Sequence, residues 1–154
     1  MSVTIGKPVS NCSLPATGNQ EISLHDLHGK HLILYFYPKD NTPGCTQEGQ
    51  DFRDMYKQFA AAGAEILGVS RDSVRSHENF KAKYEFPFHL LSDKDEVLCR
   101  QFDVIRQKKL YGREYMGVDR STFLIDSAGV LRQEWRSVKV KGHAEAVLEA
   151  VKSL

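Results

Sequence analysis

Cys45 stands where a helix is predicted to begin, and this position favours a reactive thiol. It lies in the segment Thr42-Pro43-Gly44-Cys45-Thr46. Thr42 suits the N-cap, and Pro43 suits the first helical residue because the N–H that proline lacks would have no partner there. Cys45 then falls in the first turn, where free backbone N–H groups and the positive end of the helix dipole favour thiolate over thiol. A thiolate at neutral pH is a nucleophile.

Three other interpretations of this segment compete with a reactive thiol. A cysteine in a first helical turn is often only a small buried residue, and the spacing alone leaves that interpretation open. A dithiol centre is disfavoured because Glu48 stands where a C-x-x-C motif needs its second cysteine. A phosphate-binding loop is disfavoured because Gly44 stands alone, without the glycine spacing or the lysine of a P-loop.

A strand, a helix and a second strand are predicted to position this cysteine. The most apolar run, residues 32–37, ends at Pro38 and predicts a central strand buried on both faces. A long helix follows and ends at Gly63. The apolar side of this helix carries Phe52, Met55, Phe59 and Ala62. Residues 64–70 predict a second strand parallel to the first. Cys45 therefore lies beyond the carboxyl end of a parallel strand, where such sheets bind ligands.

The remaining predicted elements complete a mixed α/β sheet. They are a helix over 73–84 capped by Asp72 or Ser73, an extended piece over 86–91, a short helix over 95–102, an antiparallel hairpin of 122–126 and 130–135, and a helix over 143–153. The segment 21–24 is predicted to add an edge to the sheet. We therefore predict one domain over residues 1–154, with helices on both faces of a mixed central sheet and an N-terminal extension.

Composition excludes several partners and compartments. The 154 residues include 21 Lys and Arg against 20 Asp and Glu, a formal net charge of +1. Such a balance gives no electrostatic reason to expect nucleic acid or a membrane surface as a partner, and no apolar run approaches the roughly 20 residues that span a bilayer. The first residues lack the pattern of a secretory signal. Three cysteines are too few for a disulfide framework, which favours a reducing compartment, most simply the cytoplasm.

The segment around Cys45 resembles the active site of peroxiredoxins. It runs Tyr-Phe-Tyr-Pro-Lys-Asp-Asn-Thr-Pro-Gly-Cys-Thr over residues 35–46, and Pro38, Thr42 and Cys45 meet the P-x-x-x-T-x-x-C pattern. The sequence of this segment is most similar to the bacterioferritin comigratory protein, or peroxiredoxin Q, branch. Residues 91–95 and 119–126 also resemble that branch. The resemblance implies a thioredoxin-like fold and the reduction of hydrogen peroxide and organic hydroperoxides by a thiol.

The same resemblance implies roles for individual residues. Cys45 would be the peroxidatic nucleophile that becomes sulfenic acid. Thr42 would orient the peroxide or hydrogen-bond the sulfur, and Thr42, Gly44 and Arg120 would bind the peroxide together with Cys45. Arg120 would also stabilise the thiolate and the departing oxygen. Pro38 would shield the sulfur and shape the loop. Without the family pattern, Arg120 would be interpreted as part of a surface ion pair.

Two further residues near Cys45 have open interpretations. Glu48, one helical turn after Cys45, is predicted to anchor loop backbone or to pair with an arginine such as Arg53; a solvated helix face is the competing interpretation. Tyr37 is predicted to pack at the wall of the pocket.

Both resolving cysteines that are usual in this branch are missing. Gln50 and Lys81 stand at the two positions where relatives carry them. We therefore expect a one-cysteine cycle, in which an external thiol attacks the sulfenic acid, with thioredoxin or glutaredoxin and glutathione as candidate reductants. Cys99 and Cys12 are possible atypical resolving residues, although core packing is the predicted role of both.

No cofactor or metal is expected. His25, His28 and His31 are regularly spaced, but their neighbours indicate a polar turn and no cysteine cluster joins them. No flavin, nicotinamide or haem motif occurs. The resemblance implies a monomer. Two other functions are considered: a thiol–disulfide oxidoreductase, which the missing C-x-x-C motif disfavours, and a peroxide sensor without efficient turnover.

Overall fold

A seven-stranded mixed sheet forms the centre of the computed structural model, which describes residues 3–154. The strands are β1 (Ser13–Ala16), β2 (Gln20–Ser23), β3 (His31–Phe36), β4 (Ala64–Ser70), β5 (His89–Ser92), β6 (Ile105–Leu110), β7 (Arg113–Val118), β8 (Ser121–Ile125) and β9 (Leu131–Trp135). The helices are α1 (Pro43–Asp54), α2 (Tyr56–Ala61), α3 (Val74–Tyr84), α4 (Val97–Gln101) and α5 (His143–Lys152). The sheet order is β2-β1-β5-β4-β3-β8-β9, and β6 and β7 form a separate two-stranded sheet.

The predicted strand–helix–strand unit is confirmed. β3 pairs in parallel with β4, and β4 pairs in parallel with β5, whereas β3 and β8 are antiparallel. Residues 32–36 of β3 are all buried, as a central strand requires. The C-terminal hairpin of β8 and β9 is also found where the sequence predicts it, and β2 forms the edge predicted over 21–24. The sequence does not predict β1, which joins β2 to the rest of the sheet.

The two faces of the sheet pack against two separate apolar cores. Alternate side chains of β3 point to opposite faces, so Leu34 and Tyr35 belong to different cores. The front core contains Ile33, Tyr35 and Cys45 together with apolar side chains of α1, α2, α3 and α5. The back core contains Leu32, Leu34 and Phe36 together with α4 and the N-terminal strands. Helices therefore lie on both faces, as predicted.

The prediction of one long helix up to Gly63 is wrong, because the helix breaks at Met55. The backbone of Met55 has φ −102° and ψ 4°, well away from the helical ψ of about −42°. Phe52 before the break and Phe59 after it are both fully buried in the front core. The apolar spacing therefore continues across the break, and the sequence gives no sign of it.

The hairpin of β6 and β7 is a second feature that the sequence does not predict. Most of its side chains are half-buried or exposed, so it lacks the alternation of apolar and polar residues that marks a half-buried strand. Of the two predicted caps of α3, the structure has Ser73, whose side chain accepts a hydrogen bond from the Ser76 N–H. Within the described part of the chain, every helix is too short or too polar to reach across a lipid bilayer.

A glycine brings α1 close to the aromatic side chains of the front core. A Cβ atom at Gly49 would lie 2.4 Å from Cζ of Phe86. The Phe86 ring is itself 2% exposed and packs against the rings of Phe80 and Phe88. The ring therefore has little room to move, and the absence of a side chain at Gly49 sets how closely α1 approaches the sheet.

We predict that Gly49→Ala lowers the free energy of unfolding by about 1–2 kcal/mol, because the steric cost of about 1–3 kcal/mol exceeds the helix-propensity gain of about 1 kcal/mol. Urea denaturation measures the change. Lys57→Ala, at an exposed position on α2, is the control and should differ little from the wild type. A Gly49→Ala protein as stable as the wild type would show that Phe86 can move aside.

Candidate active site

The first turn of α1 places Cys45 at the end of the helix that carries free N–H groups. Thr42 is the N-cap with extended backbone, Pro43 is the first helical residue, and Cys45 is the third. The first hydrogen bond along the helix runs from the Thr46 N–H to the Thr42 carbonyl at 2.9 Å. The N–H groups of Gly44 and Cys45 come before that bond and point out of the helix end. The Cys45 side chain is 2% exposed, so these dipoles act in a site largely shielded from water.

Thr42 is at the predicted N-cap position, but its side chain makes a different bond from a helix cap. Its hydroxyl donates to the carbonyl of Lys39 at 2.9 Å. This bond closes the loop that connects β3 to α1. It also uses the only hydrogen of the hydroxyl, so the oxygen is left with the capacity to accept.

Arg120 joins the site from the neighbouring strand. It immediately precedes β8, whose first residue, Ser121, is paired with Phe36 at the end of β3. The antiparallel pairing therefore brings residue 120 beside the start of the loop that leads to Cys45. Arg120 Nη2 lies 3.5 Å from Cys45 Sγ. A Cβ at Gly44 would lie 3.0 Å from the same Nη2, so the glycine leaves room for the guanidinium.

Glu48 pairs with an arginine, as one of its predicted roles requires, but the partner is Arg120 and not Arg53. Arg120 Nη1 donates to Glu48 Oε1 at 2.7 Å, and Glu48 is 1% exposed, so the solvated-face interpretation is also wrong. Arg53 contacts Asp54 and the carbonyl of Tyr84 instead. The physical reason is the direction of the helix: one turn after Cys45, a side chain points into the same buried pocket.

The electrostatics of the pocket depend on the contacts of Arg120 with Cys45 and Glu48. Burial raises the pKa of Glu48 to about 7, although the Arg120 guanidinium opposes the shift. Burial also disfavours the charge of Arg120, but the Glu48 carboxylate and the Cys45 sulfur outweigh it and raise the pKa of Arg120. His143, behind the pocket, accepts or donates a 2.8 Å hydrogen bond with Thr122, and burial together with Arg120 lowers its pKa to about 4. The guanidinium of Arg120 is therefore a permanent cation of this site.

Tyr37 packs in the front core as predicted, and its hydroxyl enters a polar network that the sequence does not reveal. The hydroxyl donates to Asp40 Oδ1 at 2.6 Å. Asp40 Oδ2 lies 2.7 Å from Nδ1 of His77, a fully buried residue of α3. Pro38 is half-buried at the start of the same loop. The only sequence signal for this network is an aspartate that follows a buried strand closely.

The other two cysteines lie on the far side of the sheet from Cys45. Cys99 is fully buried in the back core, its N–H donates to Asp93 at 2.7 Å, and burial and Asp93 raise the pKa of its thiol. Cys12 is half-buried against the same core, and burial and Asp93 raise its thiol pKa as well. Core packing, the predicted role of both, is confirmed.

Two of the three regularly spaced histidines lie on the surface, and His31 is the half-buried first residue of β3. His25 and His28 are exposed, and the Nε2 atom of His25 makes a 3.1 Å hydrogen bond with the carbonyl of Val9. Between residues 3 and 154, no three His, Cys, Asp or Glu side chains gather closely enough to hold a metal ion.

The sequence matches known proteins over nearly its whole length. Residues 5–134 match the model of the AhpC/TSA family. Peroxiredoxin Bcp of Xanthomonas campestris is 53% identical over 148 residues, which cover 95% of this chain and 92% of that protein. Peroxiredoxin Bcp of Bacillus subtilis is 47% identical over 154 residues, covering 100% of this chain and 98% of the relative. The structure of Xanthomonas campestris Peroxiredoxin Q is similar with a TM-score of 0.88 at 54% identity, covering 92% of this chain and 90% of the other.

The chain belongs to the AhpC/TSA family. It is a peroxiredoxin with a thioredoxin-like fold, and the resemblance in its sequence is confirmed. Thiol-dependent reduction of peroxides is therefore its activity. In this peroxiredoxin, Arg120 lies 3.5 Å from the buried Cys45 sulfur, and Thr42 and Gly44 belong to the helix start that carries Cys45.

The buried carboxyl of Glu48 makes stability depend on pH. Its pKa in the folded protein, about 7, is above the ordinary 4.5, so its contribution to stability is fully present below pH 4.5 and is lost as the pH rises through 7. We predict that the free energy of unfolding of the wild type, relative to Glu48→Gln, falls by on the order of 2 kcal/mol between pH 5 and pH 8. Urea denaturation at several pH values measures this difference.

The matched control for this prediction is Glu21→Gln, an exposed glutamate on β2. Its difference from the wild type should stay flat over the same pH range. His143 titrates in all three proteins, so its contribution cancels from the comparison. Parallel curves for the wild type and Glu48→Gln would contradict the raised pKa of Glu48.

Proposed function

We propose that this peroxiredoxin reduces hydrogen peroxide and organic hydroperoxides through Cys45, which becomes sulfenic acid in each cycle. The observation that carries the proposal is the contact of the Cys45 sulfur with the Arg120 guanidinium, 3.5 Å away, at the N-terminus of a helix. A cation and a helix start both stabilise a thiolate, and the thiolate is the reactive form.

The proposed step is a displacement at oxygen. The Cys45 thiolate attacks one oxygen of the hydroperoxide, an S–O bond forms, and the O–O bond breaks. The attacked oxygen keeps its hydrogen, so the sulfur becomes S–OH; the other oxygen leaves as hydroxide or alkoxide and takes a proton to give water or alcohol. Sulfur is oxidised and the peroxide is reduced by two electrons. Negative charge moves from sulfur to the leaving oxygen, so fixed donors must face both positions.

Four neighbours of Cys45 are proposed to serve this step. Arg120 is suited to contact sulfur and leaving oxygen together, because its planar fork presents several N–H donors where a lysine would present one point charge. Thr42 would accept the hydrogen of the peroxide O–H, since its own hydrogen already goes to Lys39. Gly44 would offer its N–H and space beside the guanidinium. Pro38 would shield the sulfur and shape the loop.

The proposal includes organic hydroperoxides as substrates because a similar protein is described as reducing alkyl peroxides. One solved structure, 54% identical to this chain with a TM-score of 0.88, is described by the alkyl peroxide reduction activity of Xanthomonas campestris bacterioferritin comigratory protein. The pocket around Cys45 here is built on the same family segment, and we extend that substrate class to this chain.

The sulfenic acid is proposed to be resolved by an external thiol. Gln50 and Lys81 occupy the positions of the usual resolving cysteines. Cys12 and Cys99 pack in the back core, whereas Cys45 packs in the front core, so the sheet stands between them and the sulfenic acid. An external thiol would displace water from S–OH to give a mixed disulfide, and a second thiol would release Cys45. A disulfide between Cys45 and Cys99 would contradict this proposal.

The wider setting of the activity is also a proposal. Thioredoxin, or glutaredoxin with glutathione, is the proposed thiol reductant, and a cytoplasmic monomer is the proposed form. The small number of cysteines, all of them free thiols, supports a reducing compartment. Residues 1–154 are proposed to act as one domain, supported by a single main sheet whose strands run from Ser13 to Trp135.

We predict that Cys45→Ser abolishes peroxide consumption, because serine is not ionised at neutral pH and its alkoxide is no substitute for a thiolate. Cys12→Ser and Cys99→Ser are the matched controls and should keep nearly the wild-type rate of the peroxide step. Peroxide consumption is followed with thioredoxin, glutaredoxin and glutathione side by side. A wild type that consumes a single equivalent and then stops with every reductant would be a peroxide sensor and would contradict the proposed turnover.

We predict that mass spectrometry after one equivalent of peroxide, without reductant, finds a trapped sulfenic acid on Cys45. The Cys12→Ser/Cys99→Ser double variant should give the same adduct and the same steady-state turnover, because neither thiol reaches across the sheet. A disulfide between Cys45 and Cys99, or between Cys45 and Cys12, would overturn the one-cysteine cycle and assign that residue as the resolving cysteine.

A further inference from the structure

A buried polar network ties the loop before Cys45 to helix α3. Asp40, in the middle of the loop 38–42, is 6% exposed. Its Oδ1 accepts from the Tyr37 hydroxyl at 2.6 Å, and its Oδ2 accepts from the Ser76 hydroxyl at 2.8 Å. Oδ2 also lies 2.7 Å from Nδ1 of His77, which is fully buried. One aspartate in the loop 38–42 therefore holds two side chains of α3 and the hydroxyl of Tyr37, the residue that follows β3.

His77 is fixed from both of its ring nitrogens. Nε2 lies 2.9 Å from the carbonyl oxygen of Leu91, which can only accept, so Nε2 carries a hydrogen. Nδ1 is left to face Asp40. The imidazole therefore spans the gap between β5 and the active-site loop with a defined orientation. A buried histidine with both nitrogens bonded cannot rotate without breaking one of these contacts.

The backbone of the loop is anchored at a second point. The Asp40 N–H donates to Asp72 Oδ2 at 2.9 Å, and the Ser70 hydroxyl donates to the same oxygen at 2.6 Å. The next residue, Asn41, has φ +63°, a left-handed conformation that asparagine tolerates better than most residues. With Asp40 held on both sides, this turn sets the direction in which the chain reaches Thr42.

We infer that His77, acting through Asp40, is a positioning residue for the peroxide reaction. It holds the loop 38–42 so that the Thr42 oxygen and the first turn of α1 meet the peroxide in a reactive geometry. The inference rests on the proposed roles of Cys45 and Thr42. Buried polar contacts of this kind specify one geometry more than they add stability, because an apolar pair of similar volume would pack at least as well. Reaction rates are sensitive to displacements of about 1 Å, so the loop geometry matters for the chemistry.

Two substitutions at one position separate the two contacts of His77. Asparagine brings an amide nitrogen near the position of Nδ1, so His77→Asn keeps the bond to Asp40 and loses the bond to Leu91. Glutamine brings its amide nitrogen near Nε2, so His77→Gln keeps the bond to Leu91 and loses the bond to Asp40. Each variant loses one buried hydrogen bond, and only the second releases the active-site loop.

The experiment compares two reactions of the same sulfur. The rate constant for oxidation of Cys45 by hydrogen peroxide is followed by the fluorescence of Trp135, the single tryptophan, whose ring packs 5.8 Å from that of His143. Alkylation of Cys45 by iodoacetamide is measured in parallel and needs no Thr42 oxygen. We expect His77→Gln to lower the peroxide rate on the order of tenfold while alkylation changes less than about threefold, and His77→Asn to restore most of the peroxide rate. Equal peroxide rates in the two variants, or a proportional fall of both reactions, would overturn the inference.

If His77→Gln does not fold, two less disruptive variants of the same helix test the positioning role. Ser76→Ala removes one donor to Asp40 and leaves no buried charge unpaired, so we expect a severalfold lower peroxide rate. Ser73→Ala removes the cap of the same helix, where the Ser73 side chain accepts from the Ser76 N–H at 3.1 Å, and should lower stability but keep the rate. Equal rates for the two variants would refute the inference.

The outcomes also separate this inference from the proposed function. If Cys45→Ser consumes peroxide as fast as the wild type, the proposed function fails. If consumption depends on Cys45 but His77→Gln reacts with peroxide at the wild-type rate, the role of His77 alone is refuted.

Discussion

The contact of one guanidinium with a buried sulfur and a buried carboxyl is the constraint on which the rest of this structure depends. Arg120 reaches Cys45 with one nitrogen and Glu48 with another, at 3.5 Å and 2.7 Å. In a pocket shielded from water, an uncompensated guanidinium would be costly, and so would an isolated thiolate. Arg120 therefore makes the ionisation of either anion tolerable, and either anion offsets the charge of the guanidinium. Burial raises the pKa of Glu48 to about 7 although the Arg120 guanidinium opposes the shift, so the cost of burying the carboxylate charge is only partly offset.

The fold serves this contact through strand pairing and close packing. β8 runs antiparallel to β3, so the residue before β8 returns to the end of β3 from which the active-site loop departs. Gly44 leaves space for the guanidinium, and Gly49 lets α1 lie against Phe86. Two glycines five residues apart in α1 thus set both the distance of the helix from the sheet and the room beside the sulfur.

The sheet has a second consequence, which concerns the redox cycle. It divides the interior into a front core with Cys45 and a back core with Cys99 and the flank of Cys12. Pairing across the sheet would require large rearrangement, because side chains on opposite faces of a strand point away from each other. The thiols of Cys12 and Cys99 are also disfavoured as thiolates, since burial and Asp93 raise the pKa of each. Cys45 and the two cysteines packed in or against the back core are therefore separated by the sheet.

The sequence by itself determined the strand–helix–strand unit, the helix start at Cys45 and the family pattern of Pro38, Thr42 and Cys45, because all of these follow from residues close together in the chain. Only the tertiary structure decided that Glu48 pairs with Arg120, 72 positions away, rather than with Arg53 in its own helix, and that Asp40 meets His77, 37 positions away. It also decided the break at Met55 and the exposed β6–β7 hairpin, where apolar spacing carried no signal. Local patterns report on burial and turns, whereas the partner of a buried charge depends on which strands lie side by side.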